Sequence, residues 1–193
     1  MDAPMATLEM VERIVGALAM SAAFPVEVQL AAAQVIAPLP VIFYDANGAM
    51  IRLQLAETQF PDMSWVSTGF TRALVSASIR LEAPYPFVRV AGKSLPYQTA
   101  KSGDVFRNKD VVGQRYGLDV DVFTSRDLPE YAQREAIILS RALESLIRRN
   151  ETLSNYVQVI QPMGSIQPGG SASVGPGVVA AARQSYEVLT LSE

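Results

Sequence analysis

A strand that runs directly into a long helix is the feature that most constrains how this chain can fold. Across residues 116–124, Leu118, Val120 and Val122 alternate with Asp119 and Asp121. That period of two marks a strand with one packed face and one wet face. Residues 128–149 then carry a helical period, with Ala132, Ala136, Leu139, Leu143, Leu146 and Ile147 on one stripe and Arg134, Glu135, Arg141 and Glu144 on the other side. Asp127 is expected to cap this helix, with Pro129 in its first turn and Glu130 in the third position, as in a capping box. At ~1.5 Å per residue the helix is about 33 Å long, enough to cross a small sheet.

The rest of the chain builds around that unit. Residues 2–20 read as an amphipathic helix, capped by Asp2 and ended by Pro25, with Leu8, Val11, Val15 and Leu18 inward and Glu9, Glu12 and Arg13 outward. Residues 26–36 are ambiguous. Val26, Val28 and Leu30 alternate like a strand, but Ala31-Ala32-Ala33 favours a helix. Residues 41–44 and 49–55 flank Asp45-Ala46-Asn47-Gly48 and predict a hairpin, because Asn and Gly tolerate positive φ. Residues 73–81 alternate as a further strand, and 87–90 form a short extended piece after Pro84 and Pro86. Residues 91–112 are polar and irregular, a loop long enough to suggest a contact role. From 161 to 177, Gly and Pro make up eight of seventeen residues, which predicts an extended or flexible arm. The arm leads to a strand-like terminus at 186–191 that would dock on its own sheet or on a neighbouring subunit. The expected organisation is a single α+β domain over 1–160 and an arm over 161–193. Its sheet is mostly antiparallel, packed by the N-terminal helix and the long helix.

Composition narrows the chemistry. The 193 residues include no Cys and no His. This chain therefore supplies no thiolate nucleophile, no disulfide, no imidazole base and no histidine or cysteine metal ligand. A net charge of −3 gives no basic field for nucleic acid. Arg148-Arg149 falls where a helix ends and complements its dipole. The first 24 residues have an acidic leading region, the wrong sign for a signal peptide. The apolar charge-free run at residues 28–44 is interrupted by Pro38 and Pro40 and is shorter than the ~20 residues of a membrane span. Gly92-Lys93-Ser94 lacks the upstream glycine of a phosphate loop, since position 87 is Phe. Asp119 and Asp121 share a strand face and could hold a divalent cation with Asp127, or simply form a solvated face ended by a helix cap. Asn150-Glu151-Thr152 is a glycosylation sequon with no secretory signal before it. Trp65 lies in an aromatic loop and either covers a core edge or marks a contact surface.

The run Arg115-Tyr116-Gly117-Leu118-Asp119-Val120-Asp121-Val122-Phe123, followed by an acidic cap and the helix from Glu130 to Arg149, resembles the strand–helix unit of tailed-phage tail terminator and tail completion proteins. The chain length, the first helix, the prolines before a hydrophobic strand and the strand-like C-terminus agree with it. The resemblance implies a virion protein assembled in the host cytoplasm. It would be a hexameric ring at the tail–neck junction, meeting tail tube, sheath or neck proteins, with no cofactor, no catalysis, no membrane and no direct nucleic-acid contact. On this reading Lys93, Lys101, Arg107 and Lys109 are loop contacts, and Tyr186, Val188 and Leu191 form a docking strand. A small-molecule binding module or an atypical His-free enzyme, with its site in the 60–65 and 93–109 loops, is the competing class.

Overall fold

A computed structural model describes residues 7–36, 41–53, 62–75, 81–82, 84–94, 112–175 and 177–192. Its longest elements are strands β5 (Val112–Arg126) and β8 (Gly177–Ser192), which pair antiparallel from Val112↔Ser192 to Arg126↔Val178. At ~3.4 Å per residue this ribbon is about 50 Å long. β4 (Phe87–Ser94) flanks β5 antiparallel, and β3 (Arg72–Val75) adds a parallel edge to β4. On the other side, β6 (Val159–Pro162) and β7 (Gln167–Val174) pair with successive halves of β8. The order β3-β4-β5-β8-β6, with β7 also on β8, gives a six-stranded, mostly antiparallel sheet and the α+β class that the alternation patterns predict. β1 (Val41–Tyr44) and β2 (Met50–Leu53) form a separate two-stranded sheet.

Among the described residues, helices cover one face of the sheet. α3 (Pro129–Arg149) lies over β5 and β8, α1 (Leu8–Ala19) over β3 and β4, and α2 (Phe24–Ile36) packs on α3. The core between the layers joins Val88 and Val90 of β4, Leu118, Val120 and Val122 of β5, and Ala182, Tyr186 and Val188 of β8 to the α3 stripe. All six α3 residues expected inward are buried. Each large aliphatic side chain taken from water there contributes about 1.5–3 kcal/mol. The ambiguous segment at 26–36 is helical because its buried residues Phe24, Val28, Ala31 and Ala32 recur every three to four positions against α3. Pro25 therefore begins α2, where its missing N–H costs nothing, and does not end α1. No single helix among the described residues is long and apolar enough to cross a membrane.

Several local expectations are corrected. α1 is capped by Thr7, whose hydroxyl accepts the Met10 amide, and Asp2 lies outside the described residues. Leu128 stands at the N-cap of α3 and makes no side-chain cap bond, so Asp127 is not the cap. Glu12 and Glu135, both assigned to wet helix faces, are buried. Glu12 accepts the Gly92 amide beyond the point where β3 pairing ends, and Glu135 is held by Arg126 and by the Ser67 amide. Gly92 itself is required by packing, because a Cβ there would sit 2.5 Å from Leu8. Likewise, the glycine-rich stretch at 161–177 is not a free arm. Backbone pairing to β8 organises it, and Gly169 fits a bulge where a Cβ would meet that of Ala181 at 2.9 Å. The hairpin at 41–53 forms as expected, with Asp45 accepting the Asn47 and Ala49 amides at 2.8 Å.

Candidate functional site

Three surfaces could carry function: the open face of the sheet, a groove beside α1, and the uncovered faces of α2 and the β1–β2 hairpin.

The open sheet face holds the Asp pair. Asp119 and Asp121 project from β5 on the side opposite the helices, in cross-strand rows with β4 and β8. Arg89 donates to Asp121 at 3.0 Å, and Arg183 Nε donates to its other oxygen at 2.6 Å. Lys93 Nζ reaches both Asp119 oxygens at 2.9 and 3.0 Å, and the Ser185 hydroxyl donates at 2.7 Å. Burial raises the Asp119 pKa, but the Ser185 bond and the Lys93 ammonium outweigh it and hold the carboxyl below its usual range. The hydrogen bond to Asp121 pushes the Arg183 guanidinium further up. Farther along, Arg115 approaches Glu187 at 3.7 Å, and Gln161 donates to the same carboxylate at 3.1 Å. This is a set of cross-strand ion pairs whose carboxylates already face cations, not a metal site. Among the described residues no group of three potential ligands could hold a metal.

Next to this ladder, Phe87, Phe123 and Val179 form a second apolar cluster. The Phe rings stack at 4.9 Å, and the Arg72 guanidinium lies 4.6 Å above Phe87. The groove between α1 and the edge of β4 has a volume of about 570 Å³ and is lined by Leu8, Glu9, Glu12, Arg13, Val75 and Gly92. Its ionic groups are paired, Arg13 with Glu9 at 2.6 Å and Glu12 with the Gly92 amide. Trp65 packs edge-on against Tyr131 of α3 at 4.7 Å, with the Arg126 guanidinium 5.9 Å from its ring centre, so it covers a core edge.

The described residues among those expected to make contacts do not share one surface. Lys93 is half-exposed on the open face and bound to Asp119. Lys101, Arg107 and Lys109 lie outside the described residues. Tyr186 and Val188 are 1% and 0% exposed beneath α3: of the two dockings expected for this strand, it takes the one on its own sheet, and these side chains fill their own subunit's core. Burial accordingly drives the Tyr186 phenol pKa strongly upward. Leu191 pairs through its backbone with Gly113 of the same chain.

Exposed apolar side chains lie on α2 and the hairpin. α2 is clamped to α3 by Glu27, which is 5% exposed, meets Arg149 at 2.7 Å and accepts the Ser145 hydroxyl at 2.8 Å. The opposite side of α2 exposes Val26 (56%), Leu30 (48%) and Ala33. On the hairpin, Tyr44 and Met50 are direct cross-strand partners and are 71% and 61% exposed. Ile51, on the reverse face, is 44% exposed. From Val28 to Ile51 the sequence holds one charge, Asp45, and its carboxylate is engaged by the turn. The charge-free run at 28–44 is thus the signal that pointed here, and in the sequence it served only to exclude a membrane span. No protein-family model matches this sequence, and no curated protein matches it significantly.

Proposed function

We propose that this chain is a structural assembly protein of the tail-terminator kind. It would be a virion subunit, built in the host cytoplasm, that forms a ring at the tail–neck junction by binding copies of itself and tube, sheath or neck proteins. The observation that carries association is the exposure of Val26 and Leu30 on α2 and of Tyr44, Met50 and Ile51 on the hairpin, with one charge between residues 28 and 51. Soluble chains keep contiguous apolar surface small unless another surface covers it, and an isolated two-stranded hairpin is marginal in water. The carboxylates of the open sheet face are committed to cross-strand pairs, and the chain has no thiol or imidazole. Its polar chemistry therefore favours holding over bond-making. The specific place in a virion rests on the resemblance of residues 115–149 to the terminator strand–helix unit. Lys93, Lys101, Arg107 and Lys109 remain proposed contacts to a neighbouring layer.

Light scattering on the chain mixed with tube and neck proteins tests this reading, with negative-stain imaging of the heaviest species. Discrete rings, or a defined complex with tube protein, are expected. A strictly monomeric chain in every mixture would remove the proposal.

A further inference from the structure

We infer that the sheet face opposite the helices binds an extended acidic segment of a partner protein, laid along β5 and β8 with carboxylates at alternate positions. This inference rests on the assembly reading above and deepens it by naming the chemistry of one partner surface. The charges on this face are layered. Asp121, Asp119 and Glu187 are sunken, with side chains 4%, 15% and 25% exposed, whereas Arg183, Lys93 and Arg115 stand above them at 49%, 52% and 55%. With Arg89, four cations meet three carboxylates here, in a chain whose net charge is −3. The layer that a partner meets is therefore cationic although the whole chain is acidic, and it favours an acidic partner.

Strand register sets the spacing of these cations. Arg183 sits on Asp121, Lys93 on Asp119, and Arg115 beside Glu187, which lies across from Gly117. Positions 121, 119 and 117 are same-face steps along one strand, so the cationic heads follow one another at about 7 Å. Alternate side chains of an extended partner repeat at the same ~7 Å, which lets three carboxylates meet three heads. Arg115 approaches Glu187 only at 3.7 Å, beyond hydrogen-bond reach, and its guanidinium keeps donors for a better-placed carboxylate. A nucleic acid is the other polyanion such a row could attract, and this face fits it poorly. Phe87 and Phe123, the rings beside the row, are 0% and 7% exposed and give bases no stacking platform. The interleaved carboxylates also repel a continuous phosphate backbone.

Fluorescence anisotropy on the full chain at low salt tests this, because exposed ion pairs are weak and screened. The probes are a labelled heptapeptide in which three glutamates alternate with threonines, and its isomer with the three glutamates contiguous. The alternating peptide is expected to bind about threefold tighter than the isomer, and Lys93→Gln/Arg115→Gln to weaken it about fivefold. Arg13→Gln/Arg141→Gln lowers the net charge equally on helix surfaces and should weaken it less than about twofold. All four side chains are exposed, so neither double variant disturbs the core. Equal weakening by the two double variants overturns the inference, as does an isomer bound as tightly as the alternating peptide, or binding of neither. A single-stranded oligothymidylate that binds more tightly than the alternating peptide, and loses that advantage in Lys93→Gln/Arg115→Gln, also overturns it and assigns the face to nucleic acid. Rings in partner mixtures without this peptide discrimination would leave the assembly reading standing and remove only the inference. Peptide discrimination without any ring or partner complex would do the reverse.

Discussion

Two antiparallel ribbons in this molecule follow the same backbone rules and end in opposite environments. β5–β8 buries its inner residues, from Leu118 to Val188, beneath α3. β1–β2 pairs in full register from Val41↔Leu53 to Tyr44↔Met50, yet leaves Tyr44, Met50 and Ile51 in solvent. Alternation alone therefore makes a strand, but it does not decide what covers it. In the first ribbon the chain supplies its own cover. In the second, Tyr44, Met50 and Ile51 stay exposed, and that asymmetry is the basis for the proposal that the protein is an assembly subunit.

The comparison can be broken most directly by truncation. Leu143→Ala, within the α3 stripe, should cost about 2–5 kcal/mol in urea unfolding because it leaves a cavity in a fully packed core. Met50→Ser should change the same measurement by less than about 0.5 kcal/mol, as expected for an exposed side chain. Equal losses would mean that the hairpin is already covered within one chain. Next in size is Arg126→Met, which leaves Glu135 buried without its cation and should cost about 3 kcal/mol. Adding Glu135→Gln should recover much of that loss in a double-mutant cycle.

Gly92→Ala forces a Cβ against Leu8 and should cost about 1–3 kcal/mol, with Leu8→Ala relieving the strain. The smallest effect is electrostatic. The folded-state pKa of Asp119 is depressed, so its contribution is complete above the unfolded value of about 3.9 and is lost as pH falls through the lower folded value. Asp119→Asn should flatten the acid limb of a stability–pH curve below about pH 4. An unchanged limb would mean that the Lys93–Ser185 cradle contributes nothing in solution.

Much of this architecture was legible in the sequence because its signals are local. The alternation at Leu118–Val122, the helical stripe from Ala132 to Ile147 and the Asn47-Gly48 turn each fix one element and its buried side. Facts that depend on a distant partner were not legible. Glu12 and Glu135 look solvated on a helical wheel and are buried because Gly92 and Arg126 meet them from other elements. Composition misled at Gln167–Val174, where hydrogen bonds to β8 rather than side-chain packing define the strand. The turn after α3 was equally silent. Leu153, Ser154 and Asn155 all take positive φ there, and burial of Leu153 anchors the reversal into β6. The candidate surface was half visible, as an uncharged run whose exposure only the packing of α2 on α3 reveals.

Amide hydrogen exchange across residues 41–53 is the most direct measure of the central claim, comparing the dilute chain with the heaviest species it forms alone or with tube and neck proteins. The account predicts fast exchange in the dilute chain and at least tenfold slowing in the assembled species, while β5–β8 amides stay protected in both. Hairpin exchange that is equally fast in every assembled species would contradict it.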